Sequence, residues 1–553
     1  MEKVSASQRE SMFPNEDVFK QILNLDHFQE EKKLITKTIE KFVSQQVNPN
    51  MDKLEAHDYT LAKQLFRETG KLGLLGADVP EDYGGLSMGK RMAGNIAEKM
   101  GFGGSFSVSY NIHTGVGTLP FVYFGTEGQK RTYLPKLVSG EWVGAYALTE
   151  PHAGSDALAS KTTAKKKEGT KTWKLNGEKQ WITNAHIADV YVVFANTIDG
   201  ITAFIVERDT PGVSVSPEEK KLGIKGSSTA TVIFEDVILS DEQILGDIGK
   251  GHKIALNILN LARLKLTFAN IGTSKQALAI AVEYGKERKQ FQQAVVEFGM
   301  IQEKIANMAV AIYGAESSAS YTAGTLDVLD NHVDNVVSHL ANYAMDCSVN
   351  KVQASETLDY VIDEAVQIHG GYGYMQEYEV ERIYRDARIN RIFEGTNEIN
   401  RQTIAKSFLK NKKEHLLAID TNAAHPFIRH AATIINIILN AFSKVSDQTK
   451  FEQMSLRSMA DIIKEFYVMN ATQLMAADSN QQLKQKLANL FCEEAYQRIE
   501  NNAIMLLSSL TISDNDKGEQ LDDIRALPVR YSNIFLVKQE IAQAIIANDG
   551  YME

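Results

Sequence analysis

Proline, cysteine, long apolar runs and excess positive charge are all scarce in this chain of 553 residues. Its 10 prolines are about a third of the ~5% of average usage, and none falls between Pro217 and Pro426. Proline breaks helix interiors, so the gap permits a large helical bundle without requiring one. Only Cys347 and Cys492 are present, which excludes a disulfide framework and a Cys-based zinc site. No metal is expected, and a reducing, cytoplasmic setting is. No run of ~18 apolar residues occurs, so no membrane-spanning helix is expected, and the apolar piece 431–442 belongs inside a helical domain. Residues 1–20 are polar and mixed in charge, unlike a secretory signal or an Arg-rich transit peptide. With 59 Lys+Arg against 70 Asp+Glu, the net charge of −11 argues against nucleic acid as a partner.

What is present is a soluble multidomain composition, 44% apolar and 23% charged. Residues 25–145 read as helices with apolar side chains three and four apart, such as Leu34, Ile35, Ile39, Phe42 and Val43. All three tryptophans lie at 142–181, where strand-like text begins. Asn176-Gly177, between 172–175 and 180–183, predicts a hairpin, and 190–195, 202–207 and 229–234 continue a domain of antiparallel strands over 146–245. Helical periodicity returns over 246–410, with long segments at 252–284, 301–326 and 332–348. A polar stretch at 410–415 marks a boundary before a further helical unit, 421–553, interrupted by a turn-rich piece at 513–518.

Three motifs carry potential chemistry. Residues 146–156, ending Pro151-His152-Ala153-Gly154-Ser155-Asp156, offer hydroxyls at Thr149 and Ser155 and a backbone that a flat or phosphorylated ligand can approach. Gln367-Ile368-His369-Gly370-Gly371-Tyr372-Gly373 exposes backbone N–H groups suited to phosphate; it lacks GxGxxG and does not follow a strand, which disfavours a Rossmann site. In 391–401, Glu394 follows two apolar residues and precedes a helix start near Thr396, an environment that raises a carboxyl toward the range of a working base. Each has a plain alternative when taken alone: a strand end, a helix-ending loop, a solvated glutamate.

Together and in this order, the residues resemble the acyl-CoA dehydrogenases. The resemblance covers about 30–410. It includes Pro80-Glu81-x-Tyr83-Gly84-Gly85, Leu148-Thr149-Glu150-Pro151-x-Ala153-Gly154-Ser155-Asp156 and Gly177-x-Lys179-x-Trp181-Ile182-Thr183-Asn184. Further on come Lys225-Gly226-x-Ser228-Thr229, Glu287-Arg288-Lys289-Gln290-Phe291, the glycine loop and Phe393-Glu394-Gly395-Thr396-Asn397-Glu398-Ile399. The extra C-terminal unit resembles the very-long-chain branch.

The resemblance implies an α+β multidomain fold: a helical N-terminal domain, a β-barrel-like middle domain, a four-helix bundle and an additional helical domain. It implies FAD, with Tyr146, Leu148, Thr149, Ser155, Trp181, Ile182 and Thr183 along the flavin. Arg288, Gln367, Gly370 and Gly371 would meet the diphosphate of a neighbouring subunit's FAD, and Thr396 and Glu398 would contact the flavin's adenosine side. Glu394 would be the base that takes the proton α to the thioester. Ser155, Asn260, Arg263 and Gly395 would contact the fatty acyl-CoA substrate. A minority of the family places its base directly before the residue matching Arg263; here that position is Ala262. Two departures stand out: Gln292 replaces a common glycine, and Asn260 a common aspartate.

The implied partner is electron-transfer flavoprotein, and the implied assembly a homodimer. Long-chain relatives can touch membranes through the extension, but 421–553 carries 12 basic against 16 acidic residues, which disfavours anionic lipid. Small residues at 103–107 leave room for a long acyl tail or simply mark a turn. Two other readings share the fold: an acyl-CoA oxidase using oxygen, and a non-catalytic assembly or scaffold protein.

Overall fold

The computed structural model describes residues 16–24, 29–330, 340–410, 423–445, 452–479 and 481–552. They divide into two compact units, one drawn mainly from 28–272 and the other from 273–336 and 342–553 together with the N-terminal helix Glu16–Asn24. The expected order of helices, strands and helices holds.

The first unit opens with helices Gln29–Phe42, Tyr59–Lys71, Gly89–Met100, Gly104–Ile112 and Glu127–Val138. Polar caps start two of them: the Asp58 carboxylate accepts from the Leu61 N–H, and Thr126 and Gln129 form a reciprocal capping box. Their apolar stripes bury Phe42, Phe66, Met100, Phe106 and Tyr110 in one core. His113 ties this layer to the sheet. Its Nδ1 accepts from the Gly144 N–H at 3.0 Å, and its Nε2 lies 3.0 Å from the Leu137 carbonyl.

The sheet comprises β1 (Gly144–Ala147), β2 (Thr163–Lys166), β3 (Thr172–Thr183), β4 (Val190–Thr197), β5 (Gly200–Glu207), β6 (Val213–Val215), β7 (Thr229–Ser240) and β8 (Ile244–Leu245), in the order β6-β7-β3-β2-β4-β5-β8 with β1 beside β4. Two expectations are corrected here. The sheet is open, ending at β6 and β8, rather than closed as a barrel, and β4 runs parallel to both β1 and β2. Asn176-Gly177 makes no hairpin either, because β3 passes straight through it as a bulge against β7. Gly177 sits at φ +145°, where a Cβ would strike Thr162, and Asn176 Oδ1 accepts from the Asp236 N–H. Close strand contact, not chain reversal, selects the glycine.

In the second unit the end of helix Gly251–Glu287 joins helices Gly299–Asp330, Ala344–His369 and Asn397–Lys410. That first helix is 37 residues long, as the missing prolines allow. Of the segment expected to be helical at 332–348, residues 332–339 lie outside the described residues, and a 3-10 turn at Ala341–Tyr343 precedes the next helix. Residues 411–415 of the expected boundary are likewise outside. The extension adds helices Pro426–Ser443, Gln453–Ala477, Gln482–Ser509, Asp514–Arg525 and Ile534–Ala547. Residues 431–442 lie in the first of these, with Ile434, Ile435, Ile438 and Phe442 buried. The piece at 513–518 is a helix start rather than a turn: Ser513 Oγ accepts from the Asp516 N–H at 3.1 Å, a cap that polar composition alone disguises. Among the described residues no helix is long and apolar enough to cross a membrane.

Candidate active site

In the first unit the chain builds a face from β1, the loop after it and the end of β3. Tyr146 pairs with Val192 of β4, and its ring meets Phe194 edge-on at 5.0 Å. Leu148 is buried. The Thr149 carbonyl accepts from the Gln180 N–H at 2.8 Å, which joins the loop to β3 beside Trp181, Ile182 and Thr183. Ile182 is buried; Trp181, by contrast, has φ +58° and is 57% exposed, although Trp173 on the same strand is core. The register shift between Lys179 and Ile182 is what turns the indole outward. Ser155 lies exposed on the loop beyond the Glu150–Ala153 bridge.

One element of this face went unassigned from sequence. Glu150 and Lys179 form a buried ion pair at 2.7 Å. Lys179 Nζ also donates to the Leu148 carbonyl, and the Glu150 carboxylate accepts from the Thr162 N–H at 3.0 Å and from the Lys161 N–H. Burial pushes Glu150 up, but the Lys161 N–H, Lys179 and Thr162 outweigh it and hold it below the usual carboxylate range. The signal was available: Lys179 shares the inward parity of Trp173 and Leu175, and a lysine on an apolar strand face needs a buried partner.

Asn260 and Arg263 stand one turn apart on helix Gly251–Glu287. Both are buried, and the Arg263 guanidinium donates to Asn260 Oδ1 at 3.0 Å. An amide oxygen thus aligns the arginine as the commoner carboxylate would, without neutralising it.

In the second unit the helix end and the glycine loop meet. The exposed Arg288 guanidinium lies 5.5 Å from the centre of the Tyr372 ring, beside Gly370 and Gly371, while Tyr284 stacks on His369 at 4.2 Å. A Cβ at Gly370 or Gly371 would meet nothing within 4 Å, whereas one at Gly373 would strike the Val366 carbonyl. Two of the three glycines therefore leave the backbone open to a ligand, and the third serves packing. Gln367 is exposed on the preceding turn. After Arg288, Lys289–Gln290 and Gln293–Ala294 pair around Phe291 (φ +51°) and Gln292 (φ +69°), so the departure from glycine leaves a tight turn with two left-handed side-chain residues.

Glu394 is half-buried at φ +56°, followed by Gly395 at φ +80°. A non-glycine residue there carries strain of about 1–2 kcal/mol, which persists only where the surroundings impose it. They do so through Gly395, whose carbonyl accepts from Lys351 Nζ at 2.9 Å and from Asn400 Nδ2 at 2.8 Å. Thr396 Oγ1 accepts from the Ile399 N–H and caps helix Asn397–Lys410. Its first-turn Glu398 is exposed and held low, first by its own backbone N–H and then by Thr396.

Models of the acyl-CoA dehydrogenase N-terminal, middle and C-terminal domains match residues 29–141, 145–237 and 249–409, and a further acyl-CoA dehydrogenase C-terminal domain model matches 435–525. The chain belongs to the acyl-CoA dehydrogenase family. It is 42% identical to a probable acyl-CoA dehydrogenase of Bacillus subtilis (strain 168), with 99% of each chain covered. It is 38% identical to the human mitochondrial very long-chain specific acyl-CoA dehydrogenase over 65% of this chain and 55% of that one. The crystal structure of an acyl-CoA dehydrogenase complexed with FAD from Bacillus anthracis covers 98% of both chains at 42% identity, with a TM-score of 0.91. The extension is thus part of an acyl-CoA dehydrogenase architecture rather than an unrelated appendage.

Proposed function

We propose that this acyl-CoA dehydrogenase uses FAD to convert a long-chain fatty acyl-CoA to its trans-2-enoyl-CoA, the first step of β-oxidation, passing electrons to electron-transfer flavoprotein from a homodimer. The observation that carries the reading is Glu394, held in a strained left-handed conformation within the family's base motif.

The residues suit the cofactor. Trp181 offers an exposed flat ring, Gly154, Gly370 and Gly371 have open space where a Cβ would stand, and Arg288 presents an exposed guanidinium suited to a diphosphate. Bound FAD supplies the hydride acceptor for the substrate's β carbon. Tyr146, Leu148, Thr149, Ser155, Trp181, Ile182 and Thr183 would flank the ring; Gln367 would join Arg288 and the two glycines at the diphosphate of a neighbouring subunit's FAD; Thr396 and Glu398 would hold the adenosine side. Glu394 takes the α proton, and its backbone N–H helps polarise the thioester carbonyl, since that proton is only weakly acidic. Arg263, aligned by Asn260, holds CoA with Ser155, and Gly395 contacts the acyl thioester.

Preference for long chains is supported by the very long-chain relative and the matched extension. The small residues at 103–105 do not support it. A Cβ at Gly104 would meet Met51 at 2.9 Å, and the Ser105 hydroxyl accepts from the Gly226 N–H, so the run is filled rather than open. Glu394→Gln is expected to keep its FAD and lose flavin reduction by about three orders of magnitude. Near-normal reduction by acyl-CoA in that variant would refute the assignment.

A further inference from the structure

The carbonyl that fixes the base loop is not held by local contacts alone. Lys351, fully buried on helix Ala344–His369, donates from Nζ to the Gly395 carbonyl and to Asn397 Oδ1, the latter at 2.7 Å. Asn397 Nδ2 in turn donates to Glu356 Oε1 at 3.1 Å. Lys351, Ser355 and Glu356 of this helix thus all meet the Asn397 amide, Ser355 through its Oγ. Glu356 then accepts both terminal nitrogens of Arg401, at 2.7 and 3.0 Å. The fork leaves Arg401 Nε, which donates at 2.7 Å to Asp461, a buried residue on helix Gln453–Ala477 of the extension.

We propose that the C-terminal extension braces the catalytic loop: Asp461, through Arg401, Glu356 and Asn397, keeps Lys351 on the Gly395 carbonyl and so holds the Glu394 carboxylate in its reactive orientation. Lys351, Arg401 and Asp461 are positioning residues, and the inference rests on Glu394 being the base. The relay is directional. A guanidinium bound bidentately by Glu356 cannot rotate without breaking its Asp461 bond, and a rigid Glu356 fixes which way the Asn397 amide faces. With the amide oxygen toward Lys351, the ammonium is shared between that oxygen and Gly395, the residue next to the strained glutamate. Lys464, another extension residue, donates to Gln353 on the same helix at 3.1 Å and gives the contact a second foothold.

The test uses the full-length holoenzyme with Asp461→Asn, Asp461→Glu, Lys351→Met and, as a control elsewhere on the extension, Lys444→Ala. Stopped-flow flavin reduction is measured with palmitoyl-CoA, unlabelled and deuterated at the α carbon. The saturating rate is expected to fall about tenfold in Lys351→Met and about threefold in Asp461→Asn, with KM within about twofold and a larger isotope effect than in the unaltered enzyme. Asp461→Glu restores the rate, and Lys444→Ala does not change it. Amide exchange over 393–397 speeds up in Asp461→Asn, a readout that does not depend on which residue is the base. Unaltered rate, isotope effect and exchange in Asp461→Asn overturn the brace, whatever Lys351→Met does. A Glu394→Gln enzyme that reduces flavin normally sinks the base assignment instead.

Discussion

Glu394 and Lys179 show how differently two single residues declare themselves. The glutamate stood out because its neighbours spell a motif, and its left-handed backbone adds a physical reason to propose it as the base. The lysine sits in an equally recognisable motif, yet its role comes from a partner 29 residues away in the chain, Glu150, which spacing alone does not pair with it. Replacing Lys179 with methionine leaves a buried carboxylate with its two backbone donors and no cation. A loss of about 3 kcal/mol in unfolding free energy is expected, read by urea titration, together with weaker retention of FAD as the 148–156 loop loosens. Unchanged stability would mean that the backbone donors alone satisfy Glu150.

At the scale of elements, the turn at Phe291-Gln292 and the bulge at Asn176-Gly177 are mirror cases. Two residues with side chains make a hairpin turn that favours glycine, while an Asn-Gly pair, a strong hairpin signal, lies inside a continuous strand. At Asn176-Gly177 local preference lost to tertiary contact. β3 is held on one side by β7 and on the other by β2, so a reversal at Asn176 would leave both neighbours without hydrogen-bond partners. Gln292→Gly is expected to raise stability by up to about 1 kcal/mol, because relief of left-handed strain exceeds the added chain entropy. Differential scanning fluorimetry checks it, and a lowered melting temperature would show that the glutamine side chain contributes contacts. The long helices Gly251–Glu287 and Gly299–Asp330 were readable from periodicity, while the short helix Glu16–Asn24 was not. The start at Ser513 was not, since a cap and a loop share the same polar residues.

For the molecule as a whole, burial lowers the imidazoles of His113, His369, His425 and His430, and His113 falls from 6.5 to about 4. A depressed folded value means that the neutral form is stabilised by folding. The contribution is therefore complete above pH 6.5 and disappears as the pH falls through 4. For His113 the full effect is roughly 3 kcal/mol. Unfolding free energy should decline from pH 7 to pH 5, and His113→Gln, whose amide can replace both bonds, should flatten part of that decline in urea titrations at the two values. An equal slope in the variant would place the acid sensitivity elsewhere. The proline-free stretch, first legible only as permission for helices, holds Arg263, Arg288, Gln367, Glu394 and the brace that reaches Asp461. Side-chain relays of that kind have no periodicity, so they emerge only once helices distant in sequence are packed together.

The most direct measurement is anaerobic mixing of the purified protein with saturated acyl-CoAs of about four to eighteen carbons while the flavin absorbance is followed. A yellow protein is expected, whose flavin bleaches rapidly with thioester substrate, fastest toward the long end of the series. A colourless protein that takes up no FAD, or a flavin that no acyl-CoA reduces, would contradict it.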